Sequence, residues 1–428
     1  MEIYTKTIKG IEVNYIRVKK HKHIIVAYSF ISLYDNDTFN ERNMLNDILE
    51  NNMKKFPTKT KVNLHLDMLY GAMFKSDIYS RGNILANNFY LKFINKKYLK
   101  DRINLTKSAF SFLNELVFNP KKYNNYLTQK AIYNQLEEAK DILKTYEQDK
   151  PTHAYINFKK TILKNEKSRI KLFPIAEKLN DINKHSITKT YNEMVNLDQL
   201  KIYVIGDFDF FEIDNLIEKN FKQRINNNII NKAKFNLPLS KTENVNEITE
   251  VDDLSISRIY LGYKLNINFN SQDYYAMIIL NIIIGGYSSS KLFSIIREKL
   301  NLVYYIYSNY NHDSGIFYIN FECEPFDEDK AIKEINQVIA DIKIGKINDI
   351  EIKRAKKYLK KQFKSRADSL SGLLNLYILT DIEINQQFDL QTIIDNYLKI
   401  TKDDLVKTAR LLKLDTLYRY TKKDENND

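Results

Sequence analysis

The feature that most constrains the fold of this chain is an internal repeat. Residues 89–93 read FYLKF, and residues 317–321 read FYINF, 228 positions further along. Around both copies the same order of elements is predicted: a strand rich in β-branched and aromatic residues, two helices, a pair of strands, a helix, and a closing helix and strand. A period near ~230 residues indicates a duplicated domain, because solenoid repeats are far shorter. The chain should therefore contain two related halves.

The predicted elements also indicate the fold class and the boundaries of the halves. Strands segregated around long helices are typical of an α+β fold. We predict a first domain over residues 1–222, a linker over residues 223–250 and a second domain over residues 251–428. The linker is predicted because polar residues dominate this segment and Pro238 interrupts it.

Residues that bind metals are scarce in this chain. It contains one cysteine, Cys323, and six histidines: His21, His23, His65, His153, His185 and His312. A single cysteine excludes an intrachain disulfide and a zinc site built from cysteines. Only His21 and His23 are close in sequence, and we interpret them as a solvated pair at the start of a strand rather than an adventitious metal site. The remaining histidines and Cys323 are interpreted as structural or surface residues.

The charge of the chain is strongly positive. Lys and Arg number 66 against 54 Asp and Glu, which gives a net charge of +12 at pH 7. A basic chain can bind nucleic acid, but here the basic residues are scattered and no recognition motif is present. We therefore favour a solvated surface. The longest basic cluster, residues 354–361, is predicted to lie on one helix, and a basic face of this kind can attract acidic peptides.

The sequence contains neither a predicted signal peptide nor a predicted membrane span. The first residues, MEIYTKTIKG, alternate between apolar and polar side chains and are followed by charge. No window offers the ~18 uninterrupted apolar residues that a membrane span needs. We therefore expect a cytoplasmic protein without membrane association.

Residues 285–308, GGYSSSKLFSIIREKLNLVYYIYS, form the most specific motif. A glycine-serine loop is followed by Leu-Phe, then by Arg-Glu-Lys, and then by an apolar residue and a tyrosine before a strand. This order and spacing resemble the second domain of the insulinase/pitrilysin family of zinc peptidases. The family fold, two duplicated α+β domains joined by a linker, agrees with the repeat, so the resemblance covers nearly the whole chain.

The resemblance implies an inverted zinc motif, H-x-x-E-H, on the first long helix of the first domain. In this motif two histidines on one helical face bind Zn²⁺, and the glutamate between them acts as general base on the metal-bound water. The family places the motif shortly before a Lys-Lys-x-Pro sequence, which here is residues 54–57. The matching positions are Asn43, Asn46 and Asp47.

A third zinc ligand, a glutamate from a later helix, is also implied by the resemblance. Its position falls near Gln135, with Glu137 and Glu138 close by, and the sequence leaves open which of these occupies it. Amides are poor zinc ligands, and no base would remain to activate water. We therefore expect this chain to hold no metal, to have no catalytic residue and to need no cofactor of its own.

The substrate side of the site is retained in the second domain. In the catalytic members, an arginine and a tyrosine seven residues later reach the substrate in the zinc site, and the matching residues here are Arg297 and Tyr304. A fixed cation and a phenol can hydrogen-bond the peptide backbone and a developing oxyanion. The resemblance implies a substrate-binding role for these two residues and for Gly285, Gly286 and Ser289. The alternative is that Arg297 pairs with a carboxylate and Tyr304 only packs.

A chain of this kind is similar to the non-catalytic subunits of heterodimeric members, such as the mitochondrial processing peptidase and paired bacterial homologues. The resemblance implies a catalytically inactive, substrate-binding subunit of a heterodimeric zinc metallopeptidase that acts on peptides or unfolded segments. The zinc would then belong to a homologous catalytic partner with an intact H-x-x-E-H motif. Two alternatives are a stand-alone homodimer that binds peptides without hydrolysis and a basic nucleic-acid-binding protein.

Overall fold

The computed structural model describes residues 1–100, 103–166, 171–224, 229–234, 238–240, 243–383 and 388–422. The chain divides into two compact units, each with its own sheet and hydrophobic core. Unit 1 comprises Met1–Lys144, Leu172–Lys234 and Ala367–Ile382. Unit 2 comprises Thr145–Lys171, Phe235–Arg366 and Glu383–Asp428.

The sheet of unit 1 has six strands: β1 (Glu2–Ile8), β2 (Ile11–Arg17), β3 (His23–Leu33), β4 (Met73–Arg81), β5 (Ile84–Ile94) and β8 (Gln199–Gly206). A separate two-stranded hairpin is formed by β6 (Lys122–Tyr123) and β7 (Tyr126–Leu127). The order across the large sheet is β1-β2-β8-β3-β5-β4. Only the β2–β8 pair is parallel within this sheet as described.

The helices of unit 1 are α1 (Phe39–Glu50), α2 (Lys59–Met68), α3 (Leu105–Phe118), most of α4 (Gln129–Gln148), α6 (Lys184–Asn196), α7 (Phe210–Asn220) and α11 (Leu370–Glu383). In α1, Met44, Leu45 and Ile48 recur at helical spacing and are buried in the core. The sequence predicts that this helix continues to residue 55, but it ends at Glu50. The chain turns there because Met53 bridges to Pro120 and the side chain of Asn52 donates to the backbone oxygen of Lys121.

The sheet of unit 2 has five strands: β9 (Asn246–Asp252), β10 (Ser257–Lys264), β11 (Tyr305–Asn311), β12 (Ile316–Cys323) and β13 (Leu414–Lys422). Their order is β11-β12-β10-β13-β9. The helices are α5 (Lys150–Ile162), α8 (Gln272–Ile284), α9 (Glu328–Lys343), α10 (Asp349–Asp368), α12 (Leu390–Leu398) and α13 (Lys402–Ala409). A π-helical segment, Phe293–Lys299, precedes β11.

The strand order confirms the α+β fold and explains the repeat. Reading β4-β5-β3-β8-β2 in unit 1 against β11-β12-β10-β13-β9 in unit 2 gives the same order and the same parallel last pair. The register agrees as well, since Tyr28 pairs with Phe89 and Tyr263 pairs with Phe317. The two repeated motifs therefore occupy equivalent places. Strand β1, which the sequence reasoning did not assign, is an addition to unit 1.

The compact units are not contiguous in sequence, whereas the predicted domains, residues 1–222 and 251–428, are. Helix α5 packs on β10 and β13 of unit 2, and α11 belongs to unit 1. Within the predicted linker, residues 246–250 belong to the edge strand β9, because they hydrogen-bond in parallel to β13. Residues 225–228, 235–237 and 241–242 of that linker lie outside the described residues.

None of the helices in the described part of the chain combines the length and the apolar composition that a bilayer-spanning segment requires.

Candidate functional site

Asn46, which the sequence motif predicts to stand at the general-base position, is a buried structural amide. Its side chain is 4% exposed. Nδ2 of Asn46 donates to the backbone oxygen of Asp77 on β4 at 2.9 Å, and Oδ1 accepts from Nδ2 of Asn87 on β5 at 2.9 Å. Asn87 also donates to the backbone oxygen of Arg42 at 2.8 Å. Both ends of the Asn46 amide are therefore used to fasten α1 to the sheet.

Asn43 and Asp47, which the sequence motif predicts to stand at the positions of the two zinc-binding histidines, lie toward the surface of α1. Nδ2 of Asn43 donates to the backbone oxygen of Phe39 at 2.7 Å, a bond within the helix. Partial desolvation and the charge of Glu138 raise the pKa of Asp47, and Lys59 opposes this shift. These side chains offer one carboxylate and one amide where two imidazoles would be needed.

Gln135, one of the candidates for the third-ligand position beside Glu137 and Glu138, lies on α4 and is 8% exposed. Its Nε2 donates to Oε2 of Glu138 at 2.9 Å. The charge of Glu138 on α4 acts on Asp47 of α1, so these two side chains lie near each other. Among the described residues, however, no group of three or more His, Cys, Asp or Glu is arranged to hold a metal ion. The donor set present does not fit zinc.

The histidines have other roles in the structure. The ring of His65 stacks on Phe56, with the centroids 4.3 Å apart. Burial and nearby lysines lower the pKa values of His21 and His23. These observations place the three residues in packing or surface environments.

His153 has partners that the sequence reasoning missed. In unit 2 its ring lies against Glu250, and Nδ2 of Asn157 donates to Oε2 of Glu250 at 3.0 Å. Burial would raise the pKa of Glu250, but hydrogen bonds from His153, Tyr418 and Asn157 lower it overall. Sequence spacing carries no signal for this cluster, because α5, β9 and β13 are far apart along the chain.

The glycine-serine loop is shaped by packing against β11. The backbone oxygen of Gly285 accepts from the N–H of Ser308 at 3.2 Å. A Cβ atom on Gly285 would lie 2.7 Å from Oγ and 2.8 Å from N of Ser308. A Cβ atom on Gly286 would lie 3.1 Å from Asn281. Ser289, further along the loop, is exposed. Gly285 is thus required by the close approach of α8 to β11, whether or not it also touches a substrate.

Arg297 and Tyr304 are both exposed beside β11. The guanidinium of Arg297 lies over the ring of Phe293 at 4.8 Å, and no described residue forms an ion pair with it. Tyr304 is 54% exposed; its hydroxyl donates to Oε1 of Glu324 at 2.6 Å, and this bond raises its pKa. Arg297 projects from the π-helical segment, a conformation that is frequent at functional sites. The sequence offered a carboxylate contact as an alternative role for Arg297. In the structure it is Tyr304 that contacts a carboxylate, through its hydrogen bond to Glu324.

Comparison with known proteins agrees with this geometry. Residues 181–359 match the family model described as the Peptidase M16 inactive domain. The chain is 24% identical over 409 residues to the "Probable inactive metalloprotease YmfF" of Bacillus subtilis. The matched region covers 96% of this chain and 95% of the relative.

Two solved structures have the same fold over the whole chain. A conserved protein from Enterococcus faecalis superposes with a TM-score of 0.89 at 24% identity, covering 99% of this chain and 100% of that one. A peptidase M16 inactive domain from Pseudomonas fluorescens superposes with a TM-score of 0.79 at 14% identity, with both chains covered completely. The chain is thus similar along nearly its whole length to M16 peptidase homologues described as inactive, which agrees with the expected resemblance to the insulinase/pitrilysin family.

Proposed function

We propose that this chain is the non-catalytic, substrate-binding subunit of a heterodimeric zinc peptidase that acts on peptides or unfolded segments. The observation that carries the proposal is the contrast between the two halves of the site. Asn46, at the position predicted for the general base, is held by two structural hydrogen bonds. The substrate-side residues Arg297 and Tyr304 remain exposed, although neither is needed for the core.

Arg297 and Tyr304 have the chemistry to hold a peptide during hydrolysis by a partner. The stacking of Arg297 on Phe293 limits the freedom of its guanidinium, so that less entropy is lost when it binds a carbonyl oxygen. The hydroxyl of Tyr304 can release its hydrogen bond to Glu324 and donate one to a substrate carbonyl instead. Two such donors stabilise a developing oxyanion in a site from which water is excluded. Zinc and its activated water belong to the partner in this proposal.

The edge of β11 provides a place for an extended peptide. Among the described strands, β11 pairs only with β12, and Gly285 occupies its edge at Ser308. The part of β11 that follows Tyr304 is left for an added strand, whose backbone would hydrogen-bond the edge. An unfolded segment fits this mode because it can adopt the extended conformation that strand addition requires.

The proposal is tested by isolating the chain with its partner from the native source. We expect a homologous subunit with an intact H-x-x-E-H motif to co-purify in equal amount, and zinc to be present at one ion per pair of chains. The lone chain should contain no stoichiometric zinc and cleave no peptide. Tight zinc binding and peptidase activity in the lone chain would contradict the proposal. A homodimer that binds peptides without a catalytic partner would support the stand-alone alternative instead.

A further inference from the structure

Helix α10 carries the densest positive charge of the chain and lies beside the retained loop. Its sequence, DIEIKRAKKYLKKQFKSRAD, contains eight Lys and Arg against three Asp and Glu. Ala355 is fully buried, and Ile352, Leu359 and Phe363 pack against the core of unit 2. One side of the helix is therefore anchored, and the basic side chains are distributed over its other faces.

One flank of α10 faces the glycine-serine loop. The ring of Tyr358 packs against the ring of Tyr287 in the loop, with the centroids 5.2 Å apart. Residues three, four and seven positions apart lie on the same side of a helix, so Arg354, Lys357 and Lys361 lie on or next to the flank of Tyr358. We call this set the cationic flank. The positive charge of Arg354 opposes the effect of burial on the pKa of Tyr287, in agreement with a position close to the loop.

No carboxylate among the described residues of unit 2 forms an ion pair with the cationic flank. Glu351, the carboxylate nearest to it along the helix, pairs with Lys291 at 2.8 Å. None of the ion pairs formed by the described residues involves Arg354, Lys357 or Lys361. All three side chains are exposed. Three like charges within two turns repel one another and are stabilised when an anion binds across them.

We propose that the cationic flank selects acidic peptide segments for the site beside β11. Arg354 and Lys361 are two helical turns apart, about 10 Å, which corresponds to about three residues of an extended peptide. A segment added to the edge of β11 would lie next to this flank and could place carboxylates on it, while Tyr287 and Tyr358 supply apolar contact. This inference rests on the proposed function, because it names the class of substrate that the same site would take.

The test uses the full chain and two labelled peptides of equal length, one with four Glu and one with four Gln at the same positions. We expect the Glu peptide to bind about tenfold more tightly in fluorescence anisotropy at low salt, with the advantage falling as salt is raised. Arg354→Gln, Lys357→Gln and Lys361→Gln together should remove most of this advantage and leave the affinity of the Gln peptide unchanged.

The matched control changes Lys353, Lys360 and Lys364 to Gln, which removes the same charge from the same helix on the side away from Tyr358. It should reduce the affinity of the Glu peptide less than about threefold. If the two triple variants lost equal affinity for the Glu peptide, the inference would be overturned, because the effect would then come from the overall positive charge of the helix and not from a binding site. Equal affinities for the two peptides would overturn it while leaving the proposed function standing. No binding of either peptide would overturn both, and tighter binding of a single-stranded oligonucleotide through the same three residues would identify a nucleic-acid surface instead.

Discussion

Asn46, predicted from the sequence motif to stand at a catalytic position, has a structural role. Its Nδ2 donates to the backbone oxygen of Asp77, and its Oδ1 accepts from Asn87. A glutamate at this position would offer no donor to Asp77 when ionised and would place a charge beneath α1. The site is therefore built for an amide. The sequence predicted that the base is missing, but it carried no information on what the amide does instead, because Asp77 and Asn87 lie on other elements.

We expect Asn46→Ala to lower the free energy of unfolding by about 1–3 kcal/mol, since it removes the hydrogen bond to the half-buried backbone oxygen of Asp77 and one of the two hydrogen bonds that the buried amide of Asn87 donates. Urea denaturation of the full chain measures this change. A loss below about 0.5 kcal/mol, the range of ordinary surface substitutions, would contradict the structural role.

Asp47→Asn is the matched control on the same helix, and it has a distinct pH dependence. Desolvation and Glu138 raise the pKa of Asp47 in the folded state. The ionised carboxylate is then less favourable in the folded than in the unfolded chain, so the variant should be slightly more stable at neutral pH. The gain should vanish as the pH falls below the ordinary carboxyl pKa of about 4. A variant that is less stable at neutral pH would contradict this sign.

At the scale of elements, the contact between α8, its loop and β11 positions Gly285 and the start of β11 next to Tyr304. Gly285 lies at the end of α8 and touches Ser308 so closely that a Cβ atom has no room. Oγ of Ser308 also donates to Oδ1 of Asn281 at 2.8 Å. The sequence identified this glycine through the family motif and suggested a substrate role. The structure adds a packing reason that spacing alone does not reveal, because it depends on a strand 23 residues away.

Gly285→Ala should destabilise unit 2 by about 1–3 kcal/mol through overpacking against the backbone of Ser308. Thermal unfolding of the full chain measures the effect, with Ser289→Ala in the same loop as the control, since Ser289 is exposed. If Gly285→Ala is as stable as the control variant, the close approach is not a constraint, and only the substrate role would remain for this residue.

At the scale of the molecule, each unit is completed by a helix from the other half of the sequence. In unit 1, the hydroxyl of Tyr377 on α11 donates to Oδ1 of Asn14 at 2.9 Å, and Asp381 accepts from Lys201 at 2.9 Å. In unit 2, Phe158 and Ile162 of α5 pack on Gly262 of β10. The repeat could be predicted from sequence because motif and order recur. This exchange could not, because an apolar helix face does not indicate which sheet it covers.

The exchange predicts that the two halves of the sequence do not fold separately. A fragment of residues 1–222 lacks α11, from which Leu370, Leu374, Tyr377 and Ile382 are buried in the full chain. Burial of each such side chain contributes about 1.5–3 kcal/mol, and together they approach the whole stability of a domain. Circular dichroism and urea unfolding should show no cooperative transition for residues 1–222 or 223–428 alone. Mixing the two fragments should restore one, and a fully cooperative lone fragment would contradict the exchange.

The most direct test of the proposed subunit role is the turnover of the reconstituted pair. The zinc-bearing homologue that the proposal requires is assayed alone, with this chain, and with the variants Arg297→Ala or Tyr304→Phe of this chain. The variants Lys299→Ala and Tyr123→Phe serve as exposed controls. We predict that activity requires this chain and saturates at one copy per partner. Each site variant should lower kcat about tenfold or more, as loss of an oxyanion donor does, while the complex stays intact and the controls remain active. Full activity of the homologue alone, or full activity of both site variants, would contradict the account.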